Sequence, residues 1–175
     1  YLPNMHKYED YRKTHMAKKK EGGGAVLCLS HEVDLLRYIL GDPKIIKTSI
    51  SKISNLNIDV EDTLEAQLMI KKKSSINLKI NFLDNPPIHF IALVFEKKKI
   101  IWDYIGKKLI IINIKDNSYK EINYKKFRRN KMFELQSKNF FNSIYGKEKL
   151  MTNLEDGIKT LKLCIKLKKN LIKKL

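Results

Sequence analysis

The residues best suited to chemistry fall in one short stretch, EGGGAVLCLSHEVDLLRYILGDP, from Glu21 to Pro43. It holds three consecutive glycines, a thiol at Cys28 and an imidazole at His31. An imidazole has an unperturbed pKa of about 6.5 and exchanges protons near neutral pH, so His31 is the first candidate for acid–base work. Gly22, Gly23 and Gly24 run straight into an apolar helical pattern, leaving backbone N–H groups at a helix start where an anion can sit. A plain helix entry is the alternative. A dinucleotide fingerprint needs a strand before its glycines and a βαβ setting; here a polar, basic segment precedes them. Cys28 and His31 at i and i+3 could share zinc, but no further ligands stand at suitable spacing, and no metal is expected.

Tyr11, Arg12 and Lys13 form a second candidate group. An arginine forks two hydrogen bonds onto a carboxylate or phosphate, although a solvated basic helix fits the segment equally well. His6 and His15 lie in the same segment without a fixed geometry. His89 falls in a strand pattern and reads as structural. Trp102 and Tyr104 share one strand face by period two, which favours sheet packing over a base-stacking platform.

These residues need elements to hold them. Glu9 to Lys20 has helical character, and Ala25 to Leu40 reads as one helix stopped by Gly41 with Pro43 beyond. Val26, Leu29, Val33, Leu36 and Leu40 form its apolar stripe, with His31 roughly opposite. Leu27, Leu35 and Tyr38 share the histidine's side, so that helix requires cover on two sides. The plain reading of His31 is packing beside Tyr38 and pairing with Asp34. Strands are expected at Lys44–Ile53, Thr63–Ile70, Ser75–Leu83, Ile88–Glu96, Ile100–Tyr104 and Leu109–Ile114. Helices follow at Lys131–Tyr145 and Asn153–Leu175. The last carries a stripe of Ile158, Leu161, Ile165, Ile172 and Leu175. Helix, a run of strands with short links, then helices predicts an α+β fold: a predominantly antiparallel sheet with helices packed on one face, in a single domain over 1–175.

Composition narrows the partners. Lys plus Arg number 36 against 19 Asp plus Glu, a formal net charge of +17. The lysines spread along the whole chain, which suits a solvated basic surface better than a nucleic-acid site. Lys71–Lys73, Lys97–Lys99 and Lys125–Arg129 would be the phosphate contacts of the nucleic-acid alternative. Cys28 and Cys164 make no disulfide framework. Without a signal peptide or an apolar run long enough to span a bilayer, a cytoplasmic protein with no membrane partner is expected. The chain starts at Tyr1 rather than Met and is expected to be part of something longer.

Gly22-Gly23-Gly24, Ser30-His31-Glu32-Val33-Asp34-Leu35-Leu36-Arg37-Tyr38 and Gly41 resemble the C-terminal domain of the Gfo/Idh/MocA oxidoreductases. Val60-Glu61-Asp62-Thr63, Phe140 to Tyr145 and Asn153-Leu154-Glu155-Asp156-Gly157 are similar to further parts of that domain. Tyr8-Glu9-Asp10-Tyr11-Arg12 resembles a subgroup associated with sugar or sugar-nucleotide modification. The resemblance implies NAD or NADP as cofactor, bound mainly by an N-terminal Rossmann domain absent from this chain. It implies a sugar or sugar-nucleotide substrate, hydride transfer, and a homo-oligomer, with the sheet face as its surface. His31 would be the catalytic histidine, with Tyr11, Arg12, Lys13 and Cys28 in the substrate site. The family usually places an aspartate three or four residues before this histidine. Cys28 and Leu27 stand there instead, and a thiol cannot replace a carboxylate. A non-catalytic scaffold remains the other reading.

Overall fold

The computed structural model describes residues 1–6, 8–71 and 74–169, with the backbone of 171–172. They form two compact units, Tyr1–Asn85 with Thr152–Leu175, and Pro86–Met151. The architecture is α+β and antiparallel throughout, as the element order predicts.

In the first unit β1 (Lys44–Ser51), β2 (Thr63–Ile70), β3 (Ser74–Asn81) and β8 (Leu171–Ile172) pair in the order β3-β2-β1-β8. On β2, Leu64, Ala66 and Leu68 are buried while Glu65 and Gln67 are exposed, the alternation of a sheet covered on one face. Helix α1 (Ala25–Cys28) packs on β2 and β3, and α4 (Leu154–Leu167) packs on α1 and on α2 (Ser30–Leu40). Val26, Val33, Leu64, Leu68, Phe82 and Leu167 fill the space between helices and sheet. Each fully buried side chain of this size contributes roughly 1.5–3 kcal/mol. The uncovered face is polar, with an open depression lined by Lys47, Ser49, Glu65, Gln67, Asn77 and Lys79.

A polar network ties α2 to α4. The Arg37 guanidinium, 8% exposed, donates to Asp42 Oδ1 at 2.6 Å, to the Asp156 carbonyl at 2.9 Å and to Thr160 Oγ1 at 2.6 Å. Thr160 in turn donates to Asp34 Oδ1 at 2.6 Å. Arg37→Ala strips these acceptors of their donor and opens a gap. Because Asp34 and Asp42 can turn back to water, the expected loss is about 2–3 kcal/mol, the cost of unmet buried hydrogen-bonding groups rather than of a fully buried broken ion pair. Urea unfolding followed by helix circular dichroism checks this. Trp102, the only tryptophan, lies in the other unit.

The second unit is a meander of β4 (Phe90–Val94), β5 (Lys98–Asp103), β6 (Lys108–Asn113) and β7 (Tyr119–Asn123), followed by α3 (Asn130–Ile144). Cross-strand pairing puts Ile91, Trp102, Leu109 and Ile122 on one face and Phe90, Asp103 and Lys108 on the other. Trp102 meets His89 and Tyr104 edge to face, with centroids 5.4 and 5.8 Å apart, and the His89 and Tyr104 rings lie tilted to each other at 4.9 Å.

Several expectations are corrected. The strand run divides into two sheets. Pro86 and Pro87, which have no N–H to donate, separate them, and before them Asn81 Oδ1 accepts from the amides of Leu83 and Asp84. The helix expected over Ala25–Leu40 breaks at Leu29, whose φ of −106° and ψ of 29° leave the helical region. Glu9–Lys20 folds into separate 3-10 turns rather than a helix. β7, absent from the expected strands because its residues are mostly polar, follows a turn at Asp116-Asn117-Ser118, where Asn117 has a φ of 56°. The last helix ends at Leu167, and the chain then pairs with β1. Its packing side is Thr160, Leu163, Cys164 and Leu167, not Ile158, Leu161 and Ile165, which are exposed. The side chain of Ile172, and Leu175, Lys72 and Lys73, lie outside the described residues.

Candidate functional site

The glycine stretch is a helix entry already supplied with an anion. The Glu61 carbonyl accepts from the Ala25 amide at 3.0 Å, and Glu61 Oε1 accepts from the Val26 amide at 3.4 Å. The Glu61 side chain is only 9% exposed and lies against Gly24, whose φ of 106° and lack of a Cβ permit the approach. Gly23 packs in the same way against the backbone of His15 and Met16. Lys168 Nζ stands 3.1 Å from Glu61 Oε2 and donates to the Gly23 carbonyl at 3.2 Å. A dinucleotide phosphate brought here would meet this carboxylate instead of open N–H groups. The glycines therefore do not fit the phosphates of NAD or NADP.

Cys28 follows on α1, half buried. Burial pushes its thiol above the ordinary range; the Glu61 carboxylate adds to this, while the Gly24 backbone and Lys168 oppose it. A neutral thiol at pH 7 follows. The break at Leu29 also removes the one-turn relation between Cys28 and His31 that a continuous helix would impose.

His31 opens α2 with its side chain 67% exposed, and Nε2 lies 3.2 Å from Glu32 Oε1. The Glu32 hydrogen bond holds the imidazole pKa above its usual value, with partial burial opposing it and the carboxylate charge reinforcing it. Asp34, the partner suggested by helical spacing, is engaged by Thr160 instead. Adjacent helical residues point about 100° apart, so spacing rules pass over Glu32; its length lets the carboxylate curl back. His31 and Glu32 together make an accessible proton donor or acceptor with a carboxylate to orient it.

Tyr11, Arg12 and Lys13 form one 3-10 turn capped by Asp10, whose Oδ1 accepts from the Arg12 amide at 3.1 Å. The Arg12 fork is occupied by Asp10, Nε to Oδ1 at 2.8 Å and Nη2 to Oδ2 at 2.7 Å, which holds the Asp10 carboxyl at about 2. Tyr11 Oη accepts from the Asn57 amide at 3.3 Å, and Lys13 is exposed. No helix among the described residues is long and apolar enough to cross a membrane.

The model of the GFO/IDH/MocA C-terminal domain matches residues 3–100, which include the glycines, Cys28, His31 and the Glu61-Asp62 pair. The fold is shared with a putative oxidoreductase from Thermotoga maritima, at 19% identity and a TM-score of 0.67 over 87% of this chain and 46% of that one. It is shared with the WlbA dehydrogenase from Bordetella pertussis in complex with NADH and UDP-GlcNAcA, at 20% identity and 0.60 over 90% and 46%. The UDP-N-acetylglucosamine 3-dehydrogenase GnnA from Acidithiobacillus ferrooxidans aligns at 12% identity and 0.66 over 82% and 45%. The chain thus spans about half the length of these structures. No curated protein matches it.

Proposed function

This chain belongs to the GFO/IDH/MocA family, matching its C-terminal domain, and from that premise we propose that it is the substrate-binding and oligomerisation half of an NAD(P)-dependent oxidoreductase acting on a sugar or sugar nucleotide. The carrying observation is the family match across the glycine entry and His31, joined to a fold shared with sugar-nucleotide dehydrogenases. In this reading the nicotinamide cofactor is bound by a domain outside the chain and supplies the hydride chemistry. The residues here handle the proton. His31 takes it from the substrate hydroxyl in oxidation and returns it to the carbonyl oxygen in reduction, while Glu32 orients the ring and stabilises its charged form. Arg12 exchanges Asp10 for an anionic group of the substrate, with Tyr11 and Lys13 beside it, and Cys28 stays a neutral lining group. The polar face of the first sheet, with Lys47, Lys79 and Glu65, offers opposite charges to a second copy.

Assays of this chain, and of a longer protein that joins it to a nucleotide-binding domain, test the reading. With UDP-linked hexoses and uronic acids, the longer protein is expected to reduce NAD⁺ or NADP⁺ and this chain alone is not. Turnover by the chain alone refutes the division of labour. Failure of both, with the substrates exhausted, leaves the scaffold reading, which the thiol at position 28 favours.

A further inference from the structure

The sheet of the second unit has an unguarded edge, and we propose that β4 pairs there, antiparallel, with β4 of a second copy of this chain. Unpaired strand edges are normally blunted by charge, brevity or proline. Among the outer strands described, β8 is two residues long, β3 carries Lys79, and β7 carries Lys120 and Glu121. β4 reads Phe90-Ile91-Ala92-Leu93-Val94, with no charged or polar side chain.

Hydrogen-bond alternation fixes which groups face outward. The Tyr104 amide donates to the His89 carbonyl at 3.0 Å, and the Phe95 amide donates to the Lys98 carbonyl at 2.8 Å. Bonded and non-bonded pairs alternate along an antiparallel ladder, and the register runs Phe90↔Asp103 through Val94↔Lys99 without a shift. Ile91 and Leu93 therefore bond to β5. Phe90, Ala92 and Val94 turn their N–H and C=O groups to the outer edge. Their side chains share one face, with Phe90 59% and Val94 73% exposed.

This edge is self-complementary. A two-fold axis at Ala92 sets Ala92 opposite its mate and Phe90 opposite Val94, each pair exchanging both backbone bonds. The smallest side chain sits at the axis, and the bulky ones alternate across it. Charge selects the antiparallel sense. Lys97, Lys98 and Lys99 follow one end of β4. Antiparallel pairing sends the lysines of the two copies to opposite ends, roughly 17 Å apart for five residues, beyond a Debye length of about 8 Å. Parallel pairing would abut them in a chain of net charge +17.

Sedimentation at graded concentrations, with residue-resolved amide exchange, tests the pairing on the chain itself. Association is expected, together with slowed exchange at Phe90, Ala92 and Val94 that rises with concentration. Ala92→Pro removes an outward N–H and leaves the β5 bonds intact. It should weaken association at least about tenfold with unchanged circular dichroism, and Ala92→Lys should do the same by charge repulsion. A monomeric chain overturns the proposal, as does fast exchange at Ala92 and Val94 in the associated state. A dimer that survives Ala92→Pro but dissolves on Glu65→Lys also overturns it, and places the contact on the polar face of the other sheet.

Discussion

Replacing His31 with alanine is expected to lower turnover about 100- to 10,000-fold in the protein that carries the nucleotide-binding half, the range for loss of a general acid–base group. Stability should scarcely change. The side chain is 67% exposed and its described ion pair, to Glu32, lies at the surface, where substitutions fall within about 0.5 kcal/mol. A large kinetic loss without a stability loss separates a reacting group from a structural one.

The pH dependence carries a second signature. Glu32 raises the His31 pKa above 6.5, so the imidazolium persists to higher pH than in a free histidine. With His31 as the proposed proton donor, carbonyl reduction requires the proton on the ring: its kcat/KM should be flat at low pH and fall through the raised pKa. Oxidation needs the neutral ring and should rise through the same value. Glu32→Gln keeps a similar shape, removes the carboxylate and should move both limbs down toward about 6.5. Limbs that stay in place in this variant would show that Glu32 does not govern the proton.

The local packing around His31 was partly legible in the sequence because its signals are local. The glycines, His31 and the stripe of Val26, Leu29, Val33, Leu36 and Leu40 lie within a few turns; Val26, Val33 and Leu36 are buried, while Leu29 and Leu40 are only partly so. What escaped is non-local or breaks a periodic rule. Lys168 reaches Gly23 and Glu61 from the far end of the chain, and no spacing pattern announces such a contact. The break at Leu29 falls inside an unbroken apolar pattern, so periodicity alone reads through it. Periodicity does not show which side of α4 packs, because Ile158, Leu161 and Ile165 keep helical spacing as well as Leu163, Cys164 and Leu167 do; a helix apolar on two sides does not reveal which side meets the core. The division into two sheets was signalled by Pro86-Pro87, but proline marks a boundary without saying what lies across it.

Asp62 is expected to be the costliest position in the first unit. It is fully buried, and its carboxylate accepts from the Ile53 amide at 3.0 Å, the Ser54 amide at 2.9 Å, the Ser54 hydroxyl at 2.6 Å and the Thr63 hydroxyl at 3.1 Å. Asp62→Ala leaves these donors unmet inside the fold and should cost about 3 kcal/mol or more. Burial pushes the carboxyl pKa up, but the bonds from Ser54, Ile53 and Thr63 outweigh it and hold the folded value below 3.8. The sign follows: the unfolded chain binds this proton first, so the stabilisation is complete above about pH 4 and is lost as pH falls through the lower folded value. Asp62→Asn keeps one acceptor, turns an amide donor toward the Ser54 donors, and cannot titrate. It should be less stable at neutral pH and lose less stability on acidification, while Asp10, Asp116 and Glu148, also held low, keep part of the acid slope. Helix circular dichroism in urea from pH 3 to pH 7 distinguishes these outcomes, and parallel pH profiles for native chain and variant would refute the assignment. The consequence reaches the site. Glu61 precedes Asp62 in the chain, and the Asp62 carbonyl accepts from the Phe82 amide at 2.9 Å. A loosened Asp62 releases the carboxylate that holds the glycine entry, and with it the start of the segment that presents His31.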